Sequence, residues 1–339
     1  MQALAKILVV LILLITTLPS IGQDIHYSQY FNCPLSLNPA ETGIFEGDWR
    51  GIVNYRNQWN SLGIPFNTLT ASYDQQLTIN KMDFSPGLYV ISDNSDNSIL
   101  LVNSVYASFS YHQLYKLNYI SAGIQIGAVF KRLDFSNVTL PVQFVEDPEA
   151  NFNPLISSPD IGKYNVTYLD INVGAAWKRK INIYEPEFGI SFFHLNQPNE
   201  SFYNVGTEHV PIRKTIYFNL KTEINQSTYI KPGIMLFSVG GSNDMMIGSQ
   251  VGSNIQDNTL NVSEICGGIY YRNGIENSTD AIMAMIGAQI HNLNITVSYD
   301  INISPANSFT NRQGAFEISL IYKNIRSLIK TFTIPNERI

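Results

Sequence analysis

The side chains that could do chemistry in this chain are few and scattered. Five histidines, His26, His112, His194, His209 and His291, stand far apart, and none shares the H-E-x-x-H spacing that sets two zinc ligands on one face of a helix. No serine occupies a G-x-S-x-G elbow, and neither a phosphate-cradling glycine loop nor a dinucleotide fingerprint occurs. A triad assembled only by folding stays open, but the spacing itself points to no enzyme and calls for no cofactor. Asp93, Asp96, Asp147, Glu149 and Asp160 offer the oxygen ligands that Ca²⁺ takes, yet they follow no calcium-loop pattern and read as solvated turn residues. Cys33 and Cys266 either stay free or join if folding brings their Cα atoms within about 7 Å; free thiols are the simpler expectation.

What must position these residues is a repeated element, plainest at residues 294–303. Ile295, Val297, Tyr299, Ile301 and Ile303 fall on one face, and Asn294, Thr296, Ser298, Asp300 and Asn302 on the other. A run of about ten alternating residues is the length of a tilted strand that crosses a bilayer. The pattern recurs at 120–131, 168–178, 216–221 and 316–323, with small, polar or charged residues opposite greasy ones. That is the alternation of a membrane barrel whose lumen is wet or holds a plug. In this register a lysine at Val297, Tyr299 or Ile301 meets lipid at a cost of about 2–4 kcal/mol, whereas one at Ser298 is tolerated. Lys131, Lys178, Lys221, Asp170 and Glu317 face inward, where mutual pairing is expected before any role as a charged guide. Cys266 faces inward as well, so only an N-terminal segment that enters the barrel could bring Cys33 to it.

Residues 1–22 read as a signal peptide: Lys6, an apolar run from Ile7 to Ile15 too short to span a membrane, then small residues at Ser20 and Gly22. The chain is therefore exported. With 45% hydrophobic residues, 14% charged, 19 Tyr and 18 Phe among 339 residues, the composition suits aromatic girdles and one barrel. A net charge of −6 argues against nucleic acid.

Fourteen spans fit the pattern: 49–59, 66–77, 84–93, 100–114, 118–133, 166–179, 185–196, 212–224, 228–239, 245–256, 260–273, 281–289, 293–303 and 313–323. The expected fold is all-β, a transmembrane antiparallel barrel at 49–323 with an irregular segment at 23–48, periplasmic or plugging the lumen, and a tail at 324–339. Links after even-numbered spans are mostly tight and those after odd ones generally longer, the longest being 134–165. In outer-membrane barrels the short turns are periplasmic, which places both termini there.

The segment at 23–48 shows no strand period, and Pro34 and Pro39 interrupt regular structure. It carries YSQY (Tyr27, Ser28, Gln29, Tyr30), then Asn32-Cys33-Pro34-Leu35, then LNPA-x-x-G with Asn38, Pro39, Ala40 and Gly43. Tyr55, Arg56, Asn57, Gln58 and Trp59 follow as YRNQW, with SFFHL at 191–195, GIYYR at 268–272 and GAFEISLIY at 314–322. In this order the motifs resemble the PorP/SprF family of type IX secretion and gliding-motility outer-membrane proteins, with Cys33 as a small departure. Within YRNQW, a girdle role for Trp59 beside lumen polar groups Arg56 and Gln58 is favoured over an anchor for the N-terminal segment or a partner.

The resemblance implies a non-catalytic outer-membrane component of type IX secretion that supports delivery of a surface adhesin or other sorting-domain cargo. It also implies contact with outer-membrane lipids and with further components of the machinery, including an OmpA-like peptidoglycan-binding protein. A channel or hydrophobic-solute transporter would show the same periodicity, and a surface adhesin acting through the 134–165 loop is a further reading.

Overall fold

The computed structural model describes residues 27–59, 65–79, 82–95, 99–135, 143–145, 151–152, 163–202, 208–255, 261–274, 278–308 and 312–324. Fourteen strands close a single antiparallel barrel. They are β1 (Trp49–Gln58), β2 (Phe66–Gln75, continued past Gln76 as Leu77–Ile79), β3 (Met82–Ser95), β4 (Leu100–Tyr115), β5 (Asn118–Asp134), β6 (Lys163–Arg179) and β7 (Tyr184–Phe193). The second half comprises β8 (Arg213–Glu223), β9 (Thr228–Val239), β10 (Ser242–Asn254), β11 (Val262–Gly274), β12 (Ser278–Ile290), β13 (Leu293–Asn302) and β14 (Gln313–Asn324). Each strand pairs with its neighbours in sequence, and β1 pairs with β14 from Trp49↔Asn324 to Gln58↔Ala315. Closure removes every sheet edge, the condition for strands to cross a hydrocarbon layer.

The period of two sorts the side chains as the sequence leads one to expect. On β13, Thr296, Ser298, Asp300 and Asn302 are buried inside while Tyr299 and Ile301 lie outside. Outward Leu169, Ile269 and Ile286 are 66%, 66% and 70% exposed, which is tolerable only against lipid. The interior is less uniformly polar than expected. Met235, Met246, Tyr270, Met283 and Met285 point inward and pack around Tyr30 and Leu37. Unbranched methionine suits an irregular gap between wall and filling.

The barrel has a short-turn end and a long-loop end. Between β9 and β10 the expected link at 240–244 shrinks to a two-residue turn, because Gly240 and Gly241 adopt φ of 55° and 90° and β10 begins at Ser242. Both angles are what a tight hairpin of this hand requires. Within the 134–165 loop, Phe144–Val145 pairs with Asn151–Phe152. The expected signal peptide at 1–22, residues 23–26, residues 136–142, 146–150 and 153–162 of that loop with Asp147, Glu149 and Asp160, Asp96, and the tail from 325 lie outside the described residues.

Candidate functional site

The N-terminal segment runs through the lumen. It folds as single helical turns, Tyr30–Asn32, Pro34–Leu37 and Pro39–Glu41, and the two prolines start turns rather than merely breaking structure. At the first position of a turn the missing N–H forfeits no bond. Tyr27, Ser28, Gln29, Leu35, Asn38, Ala40 and Thr42 are each at most 3% exposed.

Its start is latched between strands that meet at the barrel seam. Ser28 and Gln29 donate their backbone N–H groups to the two carboxylate oxygens of Glu317 on β14, at 2.8 and 2.9 Å. The Ser28 hydroxyl donates to Asp300 on β13 at 2.6 Å and accepts from Arg56 on β1 at 3.0 Å and Arg272 on β11 at 2.6 Å. Arg56 is itself ion-paired to Glu317 and, at 3.4 Å, to Asp300. Gln29 reaches Ser298 at 2.8 Å, and Tyr27 donates to Thr70 at 3.3 Å. The register makes this cluster inevitable, since Arg56 stands opposite Glu317 and Glu317 opposite Ser298. Charges so buried persist only when paired and hydrogen-bonded.

Further along, Asn38 caps its own turn by accepting from Ala40 N at 2.9 Å, while its amide donates to the backbone carbonyl of Ala175 at 2.9 Å. Pro39 and Asn38 lie so close to β5 and β6 that a Cβ at Gly123 would overlap the Pro39 carbonyl, and one at Gly174 the Asn38 side chain. Gly43 turns with φ of 81°, and its N–H donates to Asp74 at 2.7 Å. Ser191 and Gln125 donate to the carbonyls of Leu37 and Leu35, and Arg213 to that of Ser36. At the short-turn end Arg50 binds Asp74 at 2.6 Å and reaches the Glu41 carbonyl at 3.3 Å.

Glu41 accepts from the Tyr217 hydroxyl. Burial, with Glu187 adding repulsion, lifts its carboxyl to about 7. A carboxyl of about 4.5 in the unfolded chain and 7 in the fold holds its proton more tightly when folded, so its stabilising effect is full below pH 4.5 and lost as pH rises to 7. The loss is on the order of 3 kcal/mol. Thermal unfolding midpoints in detergent should therefore fall between pH 4.5 and 7 in the wild type, and Glu41→Gln should flatten that slope.

The structure thus gathers Tyr27, Ser28, Gln29, Tyr30, Asn38, Pro39, Ala40, Gly43, Arg56 and Gln58 in the lumen, where Gln58 accepts from Arg56 at 3.1 Å. Tyr55 and Trp59 lie apart: Tyr55 points outward and bonds Asn67 at 2.9 Å, and Trp59 meets Phe66 edge-on at the long-loop end. The favoured account of YRNQW is corrected for Arg56, which anchors the segment. The expected tolerance of a lysine at Ser298 is also overturned, because that hydroxyl abuts Gln29. Mutual pairing of the five inward charges does not hold either. Glu317 serves Arg56, Asp170 accepts from Tyr106 and contacts His194, and Lys131 pairs with Glu200. Cys33 and Cys266 are both free, although the segment does enter the barrel. Asp93 accepts from Thr68 at 2.5 Å.

Residues that sequence reasoning passed over include Arg50, Asp74, Arg272 and Asp300, and the wall glycines Gly123 and Gly174. Their signal was present: charges and glycines at inward positions of strands otherwise lined by small polar groups. Chemically the arrangement holds polypeptide, with backbone N–H groups on carboxylates and backbone carbonyls on arginine and serine donors. Among the described residues no three His, Cys, Asp or Glu side chains gather so as to hold a metal ion.

The model of the family described as type IX secretion system membrane protein PorP/SprF matches residues 20–322. No curated protein matches the chain in sequence. Among solved structures, a Pseudomonas aeruginosa FadL homologue is similar at 12% identity and a TM-score of 0.47, covering 84% of this chain and 92% of that one. The Ralstonia pickettii toluene transporter TbuX is similar at 11% and 0.48, covering 85% and 92%. The translocator domain of the Neisseria meningitidis autotransporter NalP is similar at 9% and 0.38, covering 83% and 90%.

Proposed function

The chain belongs to the PorP/SprF family of type IX secretion system membrane proteins, and from that premise we propose that it is a non-catalytic outer-membrane component supporting delivery of a surface adhesin or other sorting-domain cargo. The observation that carries this reading is the filled lumen. Residues 27–43 bond to both ends and nearly all sides of the wall, which favours a rigid platform over a conduit for small solutes. The greasy outer belt and closed sheet support placement in the outer membrane. The short turns support a periplasmic setting for that end, and with it for both termini and for contact with an OmpA-like peptidoglycan-binding protein. Of these motif residues, Tyr27, Ser28, Gln29, Tyr30, Asn38, Pro39, Ala40, Gly43, Arg56 and Gln58 then act chiefly by holding the platform in shape.

Deleting the gene should leave the cargo adhesin synthesised but missing from the cell surface, with small-solute uptake unchanged. Surface labelling of intact cells and blotting of whole lysates read this out. Normal surface display in the deletion strain would end the proposal.

A further inference from the structure

We infer that a groove on the lipid-facing wall beside the barrel seam holds one acyl chain of a glycerophospholipid, with the headgroup toward the short-turn end. The groove has a volume of about 440 Å³, crosses β14, β1, β2 and β3, and is lined by no charged residue. The strand register sorts its lining into rows. Tyr322, Gly51 and Tyr73 stand abreast toward the short turns, and Leu320, Val53 and Ala71 stand abreast one step toward the middle of the wall. Gly51 and Ala71 make the hollow, because they leave bare what Val53, Leu69 and Tyr73 fill beside them. At the short-turn side the half-buried Trp49 leans over Gly51. Its ring centroid lies 5.8 Å from that of Tyr73 and 5.3 Å from that of Tyr322, and a Cβ at Gly51 would stand 3.7 Å from the indole.

Lipid surrounds this wall, and within hydrocarbon an apolar hollow has no hydrophobic driving force to fill it, so it keeps an occupant by close packing. The order of its lining selects an amphiphile. An indole N–H and two phenol hydroxyls gather on the short-turn side, as they do at headgroup level, whereas the row toward the middle is wholly aliphatic. The Tyr73 hydroxyl donates to Gln75 at 3.1 Å, where the run Phe66–Gln75 ends, which marks the polar level. A hydrocarbon solute without a polar end gains nothing from this order. A second copy of the chain fits no better: two such hollows facing each other in a symmetric pair would enclose a void instead of interdigitating. An acyl chain is narrow and supple enough to lie in the hollow, and its headgroup meets the aromatic row.

The test uses the full chain in phosphatidylcholine nanodiscs doped with phosphatidylcholine that bears a diazirine on one acyl chain. After photolysis, peptide mass spectrometry should find adducts at 49–53, 69–73 and 320–322 about threefold above those at the comparably exposed Ile126 and Ile265, the scale that packing contacts reach within lipid. Gly51→Leu and Ala71→Phe, each filling the hollow, should lower this labelling to the level of Ile126 and Ile265. The first carbon of the new side chain at Gly51 makes only an ordinary contact, so the wall keeps its register. Ala284→Phe, exposed on β12 and away from the groove, should leave the labelling unchanged. No enrichment in the wild type, enrichment that persists in both filled variants, or stronger enrichment by a headgroup-free aryl diazirine than by the lipid would each overturn the inference. It rests on the membrane placement alone, and none of these outcomes bears on adhesin display, so this inference and the secretion reading fail separately.

Discussion

Arg56→Ala is expected to cost the folded barrel about 3–5 kcal/mol, the usual effect of removing one partner from a buried ion pair. The size follows from what is left behind. Glu317 is 1% exposed and Asp300 1%, and with Arg56 gone Glu317 keeps only the Ser28 and Gln29 N–H groups, while Asp300 keeps Arg272 and the Ser28 hydroxyl. Two carboxylates facing each other across β13 and β14 must then share one guanidinium or take up a proton. Arg132→Ala provides the contrast, since its partner Asp134 lies near the rim and the arginine is 43% exposed; there the cost should stay below about 1 kcal/mol. Urea unfolding in detergent, followed by tryptophan fluorescence, measures both. Equal midpoints for the two variants would show that the latch does not stabilise the barrel.

Gly123→Val and Gly174→Val should displace the plug while sparing the wall. Each new side chain points inward from a strand that can hold it, but at Gly123 it meets backbone atoms of Pro39 and Ala40, and at Gly174 an asparagine fixed by its own bonds. Neither neighbour can rotate away, so the overpacking cost, typically 1–3 kcal/mol, falls on the segment rather than on the ladder of β5 and β6. The second glycine of the Gly240–Gly241 turn has open space around its Cβ, so its requirement is conformational instead. The expected result is a barrel that still assembles and still migrates as a compact form, with the segment loosened. A tight, unaltered plug in both variants would contradict the packing described here.

The barrel itself was legible because a period of two survives in every strand: which residues of β13 meet lipid can be read from 294–303 alone, and the closing order follows from an even count with short and long links. The plug was legible only as a stretch without period. What gives it structure lies far off in sequence, with Ser28 bound to residues 300 and 317 and Asn38 to 175, and no local pattern encodes such partners. Arg56 was misjudged for the same reason. An inward arginine on a strand looks like any lumen polar group until the segment it holds is placed beside it. Ser298 was misjudged because an inward serine implies space, whereas here the space is already filled by Gln29. The family resemblance marked Tyr27 to Gly43 as important but did not say what those residues touch.

Cys33 provides the most direct measurement of whether the segment fills the lumen. Its thiol is 4% exposed inside the barrel, and burial pushes its pKa up, which withholds the reactive thiolate. Cys266 is only partly buried. Treating the folded wild-type protein with N-ethylmaleimide and mapping adducts by peptide mass spectrometry should show Cys266 modified ahead of Cys33, with Cys33 reacting only after unfolding in urea and gaining reactivity in Gly123→Val and Gly174→Val. Alkylation of Cys33 in the folded wild type at the rate of the unfolded chain would contradict a plugged lumen.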